Sequence, residues 1–192
     1  KLTRLDGLSE TEIRALGWSD NGKTLIIGYK STNIDIIKSN TVYNIPDIER
    51  KNIAGLKEIN RIRTNGKYAY FACSFGIVIL DIDNLVIADT WKPGSDSNVN
   101  PVYDIAFLDN KIYAATGTGV YYASLSSPSL SYFDNWSKFS ALPYPDASYD
   151  NIAADNNYIY TSCSAATQGT DLLYRISASG NNMLIFSEEN HT

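Results

Sequence analysis

Three stretches of the chain share one order of polar and apolar positions: Asn65-Gly66-Lys67-Tyr68-Ala69-Tyr70-Phe71-Ala72-Cys73, Asp109-Asn110-Lys111-Ile112-Tyr113-Ala114-Ala115-Thr116 and Asn156-Asn157-Tyr158-Ile159-Tyr160-Thr161-Ser162-Cys163. Each is a turn followed by a strand-length run of β-branched, aromatic and small residues. A degenerate copy lies upstream, Asn21-Gly22-Lys23-Thr24-Leu25-Ile26-Ile27-Gly28-Tyr29, which makes Ile26, Tyr70, Tyr113 and Tyr160 equivalent at a period of about 45 residues. A period of that size without a helical pattern predicts four-stranded antiparallel blades, because one small sheet buries both faces only by stacking on copies of itself. The fold class is therefore all-β: a β-propeller of four four-stranded antiparallel blades, expected to be a fragment of a larger propeller.

Within each blade four strands follow. The first is read at Ile13 to Trp18, Ile59 to Arg63, Val102 to Phe107 and Tyr149 to Ala154; the second is the run after each turn quoted above. The third follows a tight turn centred on Asn33, Gly76, Gly119 and Gly169-Thr170-Asp171, where Gly and Asn suit a hairpin that needs positive φ. The fourth is the outer edge and the most variable: Thr41 to Asn44, Val86 to Trp91, a weak piece within Tyr132 to Phe139, and Met183 to Phe186. The blades then occupy about 9–46, 57–93, 101–142 and 148–188 of one propeller domain spanning 1–192, and residues 1–5 read as the outer strand of a preceding blade. Leu25, Ile27, Phe71, Ile77, Ile79, Ile105, Ala114, Val120, Ile152 and Leu173 are expected to fill the space between blades. A truncated arc of this kind would leave its end blades without neighbours, so self-association of an open arc is expected, the alternative being a smaller closed ring in which the Lys1 strand completes the fourth blade.

Composition narrows the partners. The formal charge is −5 and no run of Lys or Arg occurs, which argues against nucleic acid and against electrostatic capture by anionic lipid. No apolar run reaches the eighteen or so residues that a membrane helix needs, so direct membrane insertion is not expected. The stretch begins at Lys1 with no charged-then-apolar leader, so an export signal would have to lie elsewhere in the gene product.

Candidate chemistry is sparse. The one histidine, His191, is penultimate, and a catalytic triad would have to use a chain end as its base. Cys73 and Cys163 fall in repeats two blades apart, too far for a disulfide, and read as core residues; with no further His there is no transition-metal ligand set. Asp81-Ile82-Asp83-Asn84 looks like a calcium loop but lacks its glycine and distal glutamate, so a hairpin turn is the better reading. Trp91 and Trp136 could be sugar-stacking platforms, although aromatics that end outer strands more often pack under a loop. Asn135-Trp136-Ser137 and Asn190-His191-Thr192 match a glycosylation pattern that is common by chance. The expectation is a protein that is not an enzyme, with no catalytic, cofactor or metal residues and no cofactor; its ligand-binding residues are unknown.

One family resemblance bears on these readings. Asp6-Gly7-Leu8-Ser9 followed by Ile13 resembles the opening of the two-component regulator propeller repeats of Bacteroidetes hybrid histidine kinases. Tyr43-Asn44-Ile45-Pro46-Asp47-Ile48, Phe75-Gly76-Ile77-Val78-Ile79-Leu80-Asp81-Ile82, Ile112-Tyr113-Ala114-Ala115-Thr116 and Ala123-Ser124-Leu125-Ser126-Ser127-Pro128 with Asn135-Trp136 are similar to the first propeller of the PorZ-like family of the type IX secretion system. That resemblance implies an exported, non-enzymatic propeller scaffold of the periplasm or outer-membrane surface. Its implied partners are the proteins of the cell-surface sortase and attachment complex, which works on anionic lipopolysaccharide. PorZ-like proteins carry two propellers and a C-terminal β-sandwich, so this chain would be a piece of the first propeller, and sortase or lipopolysaccharide contacts cannot be placed on its residues. The alternative is a periplasmic ligand-sensing propeller of a hybrid two-component regulator that binds a glycan. A propeller lyase or quinoprotein is disfavoured by the missing histidines.

Overall fold

The computed structural model describes residues 7–96, 98–164, 170–177 and 181–189, and the chain divides into two compact units, one reaching Thr90 and the other starting at Trp91. The first unit holds two sheets: β1 (Ile13–Ser19), β2 (Thr24–Tyr29), β3 (Ile34–Lys38) and β4 (Thr41–Ile45), then β5 (Ile59–Asn65), β6 (Tyr68–Cys73), β7 (Gly76–Asp81) and β8 (Val86–Trp91), whose last residue opens the second unit. The second holds β9 (Val102–Leu108), β10 (Lys111–Thr116), β11 (Gly119–Ser124) and β12 (Ser137–Lys138), then β13 (Tyr149–Ala154), β14 (Tyr158–Ser164), β15 (Thr170–Ser177) and β16 (Asn182–Glu189). Every sheet is an antiparallel meander in chain order. Ile26, Tyr70, Tyr113 and Tyr160 all lie on second strands, which places the sequence period on equivalent positions of the four sheets.

The turns show why the pattern is so regular. Asp109 and Asn110 carry φ of 49° and 56° and close the β9–β10 hairpin, and Gly66 carries 58° in the β5–β6 hairpin, as a two-residue turn between right-twisted strands requires. In the first sheet the expected centre at Asn33 shifts by one residue: Thr32 takes the positive φ, 74°. Its N–H donates to the Tyr29 carbonyl at 2.9 Å, while the Asn33 side-chain oxygen accepts from Ile34 N–H, also at 2.9 Å. Asn33 is therefore worth more as an acceptor under the turn than as its positive-φ residue, and the β-branched Thr32 bears the strain. The Gly169 turn, the 1–5 strand, His191 and the Asn190-His191-Thr192 pattern lie outside the described residues.

Each unit has a packed core of its own. In the first, Ile26, Ile34 and Ile36 of one sheet meet Ile59, Phe71, Val78 and Leu80 of the next, and all are buried. The sheets approach closely where β1 has Gly17: a methyl there would come within 2.5 Å of Ile62 Cγ2. In the second, Tyr113, Ala115 and Val120 face Tyr149, Ile152, Ile159 and Tyr174. Of the ten expected core residues, eight are buried, whereas Leu25 and Leu173 are only half-buried. Leu25 lies on the face of β2 opposite Ile26, with Ile27 and Tyr29, where a smaller cluster with Leu8 covers it incompletely.

Two connections depart from plain loops. Between β4 and β5 a single helical turn, α1 (Asp47–Arg50), ends on carbonyls that Lys57 collects: its ammonium donates to Ile48 O at 3.2 Å and Glu49 O at 2.6 Å. The weak outer strand of the third sheet is only two residues, β12, preceded by a 3₁₀ turn over Phe133–Asn135. The short edge is held from inside, because the Trp136 indole N–H donates to Leu130 O at 2.9 Å and the side chain is buried.

Candidate functional site

The first strand of every sheet is irregular at its second residue. β1 slips its pairing with β2 between Ile13 and Ala15, β5 between Ile59 and Arg61, and β13 between Tyr149 and Asn151; on β9 the slip falls between Val102 and Asp104. The extra residues are Arg14, Asn60, Tyr103 and Asp150. A β-bulge adds one residue to one strand and re-aims it, so the device that bends each strand also turns one long or polar side chain. Just before the bulge in three of the sheets, a carbonyl accepts from the turn after the second strand: Lys30 N–H to Glu12 O at 2.9 Å, Ser74 N–H to Glu58 O at 3.1 Å and Gly117 N–H to Pro101 O at 3.0 Å.

In the first unit the entry to β1 and β5 forms an open cleft of about 470 Å³ lined by Thr11, Glu12, Ile13, Arg14, Lys30, Glu58 and Ile59. Glu12 and Lys30 pair at 3.6 Å on its wall, with both side chains well exposed. Arg14 and the Glu58 carboxylate, by contrast, have no hydrogen bond or ion pair among the described residues.

A buried anchor holds the wall in place. Asp35 on β3 is wholly inaccessible and accepts four hydrogen bonds: Ser9 N–H at 2.7 Å, Ser9 hydroxyl at 2.7 Å, the Tyr29 phenol at 2.6 Å and the Asn44 amide at 3.0 Å. Burial by itself would raise this carboxyl, but the donors from Ser9, Tyr29 and Asn44 outweigh it and hold it below the usual range. Burial, reinforced by the Asp35 charge, pushes the Tyr29 phenol up. Ser9 belongs to the Gly7-Leu8-Ser9 opening and leads directly into Thr11 and Glu12, so this anchor positions the cleft wall.

The sequence-derived candidates are used otherwise. Asp81 Oδ1 accepts from Asp83 N–H and Asn84 N–H, each at 3.0 Å, and Oδ2 accepts from Lys67 Nζ at 2.8 Å and the Asn84 amide at 3.0 Å. The Lys67 bond and then the Asn84 bonds bring its carboxyl down to about 2. These donors occupy the carboxylate as a turn does, and among the described residues no three His, Cys, Asp or Glu side chains converge on a point. Cys73 and Cys163 are free, buried thiols, one in each unit, and burial pushes the Cys73 thiol up. Trp91 and Trp136 pack edge to face with centroids 6.4 Å apart, so they serve each other rather than presenting open ring faces. The Asn135 amide, at the end of the 3₁₀ turn, donates back to Ser129 O at 2.5 Å. Arg14, Lys30 and Glu58 were invisible to motif reading, since the bulge that carries Arg14 is set by strand pairing, and Lys30 and Glu58 join it only through the pairing of β1 with β2 and the placing of β5 beside β1.

Four-stranded antiparallel meanders repeated at this period define a β-propeller protein, and comparison with known proteins gives its family. The family model described as the type IX secretion system PorZ N-terminal β-propeller domain matches residues 1–137. The chain belongs to that family. Its structure is similar to that of PorZ, described as an essential bacterial surface component of the type IX secretion system of Porphyromonas gingivalis: TM-score 0.82 and 26% identity, covering 98% of this chain and 24% of that one. It is also similar to the extracellular domain of a putative hybrid two-component system of B. thetaiotaomicron, with TM-score 0.66 and 12% identity over 97% of this chain and 26% of that one. At that identity the second likeness shows the fold alone. The chain thus spans about a quarter of the length of either solved structure. No curated protein sequence matches.

Proposed function

We propose that this chain is a non-enzymatic propeller scaffold within an exported, PorZ-like component of the type IX secretion and surface-attachment machinery, at the periplasm or outer-membrane surface. The observation that carries the reading is family membership over residues 1–137 together with a PorZ-like arrangement of strands over nearly the whole chain. The chemistry supports it. The carboxylates of Asp35 and Asp81 are saturated by structural donors, and the thiols are buried in the packing. What the surface offers instead is shape and fixed charge, which suit holding other proteins, the sortase-containing attachment complex among them.

The test is genetic. In the bacterium that encodes the chain, replacing these residues by a flexible linker is expected to leave type IX cargo unprocessed and absent from the surface. Normal cargo on the surface, combined with loss of a transcriptional response to a glycan, would overturn the scaffold reading in favour of a sensor.

A further inference from the structure

We infer that the Arg14–Glu58 cleft is a docking site for an extended polypeptide segment that presents an acidic side chain to Arg14 and a basic one to Glu58. Three observations converge on it. The bulge after Ile13 breaks the alternation of β1 so that Ile13 and Arg14 are both exposed side by side, and the guanidinium has no hydrogen-bond or ion-pair partner among the described residues. A free planar fork of this kind is suited to a carboxylate. Glu58 supplies the opposite charge on the neighbouring sheet and is equally free, while its backbone is fixed by Ser74: the Glu58 N–H donates to Ser74 Oγ at 3.0 Å and its carbonyl accepts from Ser74 N–H at 3.1 Å. The third is the anchor behind the wall. Ser9, Tyr29 and Asn44 on Asp35 make the approach to Thr11 and Glu12 rigid, so the cleft is formed before anything enters.

The lining selects among ligand classes. Glu12 and Glu58 balance Lys30 and Arg14, so the lining has no excess of positive charge with which to hold a phosphate-rich or lipid headgroup ligand. No aromatic ring lines the cleft, and Trp91 and Trp136 pack on one another, so the flat apolar platform on which sugars stack is missing. One cation, one anion, a half-exposed Ile13 and about 470 Å³ are left, which fits a few residues of a polypeptide carrying both charges. Stacked sheets lie about 10 Å apart, so the two charged side chains should be separated by about three residues of extended chain. The inference rests on the reading that the chain works by holding other proteins.

The experiment uses the full-length protein and a displayed library of random twelve-residue peptides as probe. Enriched peptides are expected to carry an acidic and a basic residue about three apart, and Arg14→Glu is expected to weaken their binding by about tenfold or more. Exchanging the two charges in the peptide should restore binding to the Arg14→Glu, Glu58→Lys double variant, whose fold is checked by thermal melting. Absence of enrichment, peptides indifferent to Arg14→Glu, or an Arg14-dependent glycan on an array would each overturn the inference. A full-length Arg14→Glu protein that still supports cargo secretion would refute the cleft alone, whereas loss of secretion only on replacing the whole region leaves the scaffold role standing.

Discussion

Ser9 and Asp35 are joined twice, through the Ser9 N–H and the Ser9 hydroxyl, each 2.7 Å from a different oxygen of one fully buried carboxylate. This clamp ties the segment that enters the first blade to its third strand. Ser9→Ala removes one charge-assisted hydrogen bond from a buried acceptor and is expected to cost about 1.5–3 kcal/mol in denaturant melts.

The same clamp sets an acid dependence. Asp35 has its carboxyl lowered in the folded chain, so the unfolded chain binds the proton more readily and stability is lost as pH falls through the folded value. The contribution is fully present above the ordinary carboxylate range near pH 4. Thermal melts should therefore fall less steeply between about pH 5 and pH 3 in Ser9→Ala than in the wild type. An equal or steeper fall would show that the bonds to Ser9 do not lower the carboxyl.

Phe71 is completely buried at the centre of the first unit, among Ile62, Val78 and Ile26. Phe71→Ala is expected to cost about 3–5 kcal/mol by lost burial and the cavity left behind. A loss well under 1 kcal/mol would mean that this face of β6 is not the one that packs.

Gly17 is required by proximity rather than by backbone angle. A Cβ there would sit 2.5 Å from Ile62 Cγ2, so Gly17→Ala should cost about 1–3 kcal/mol through overpacking. Adding Ile62→Leu, which moves the branch from Cβ to Cγ and so removes the Cγ2 methyl that the new Cβ would meet, should recover part of that loss. A double-mutant cycle with no coupling would contradict the close approach of β1 and β5.

The outward face of β16 gives a prediction about assembly. Met183 and Phe186, which pair with Arg175 and Leu173 on the face turned away from the buried Tyr174, are 56% and 51% exposed. A propeller that continues past the fourth blade would cover such a face with a further sheet, and in the isolated stretch it should associate. Light scattering is expected to show concentration-dependent oligomers that Met183→Glu with Phe186→Glu abolishes. A clean monomer at high concentration would refute the open-ended arc.

Calcium should leave the protein unmoved. Asp81 is committed to Lys67, Asp83 and Asn84, so millimolar calcium or a chelator is expected to give the same melting temperature. A clear calcium-dependent rise would show a site that these bonds conceal.

The period of turns and apolar runs was enough to number the sheets and place their strands, because hairpin turns need particular residues at particular positions and each blade is built from near neighbours in the chain. Tyr70 and Tyr113 could be aligned without coordinates for that reason. The tyrosine and glycine signals say what a strand does locally. They do not say which side chain a bulge re-aims, since that depends on pairing with another strand. Arg14 became a candidate only once β1 was seen to slip against β2, and Glu58 only once β5 was laid beside β1. The tertiary structure likewise decided that Trp91 and Trp136 face each other and that Asp35 collects Ser9 from 26 residues away, because contacts between distant segments are chosen by packing and charge satisfaction over the whole sheet rather than by the order of residues along it.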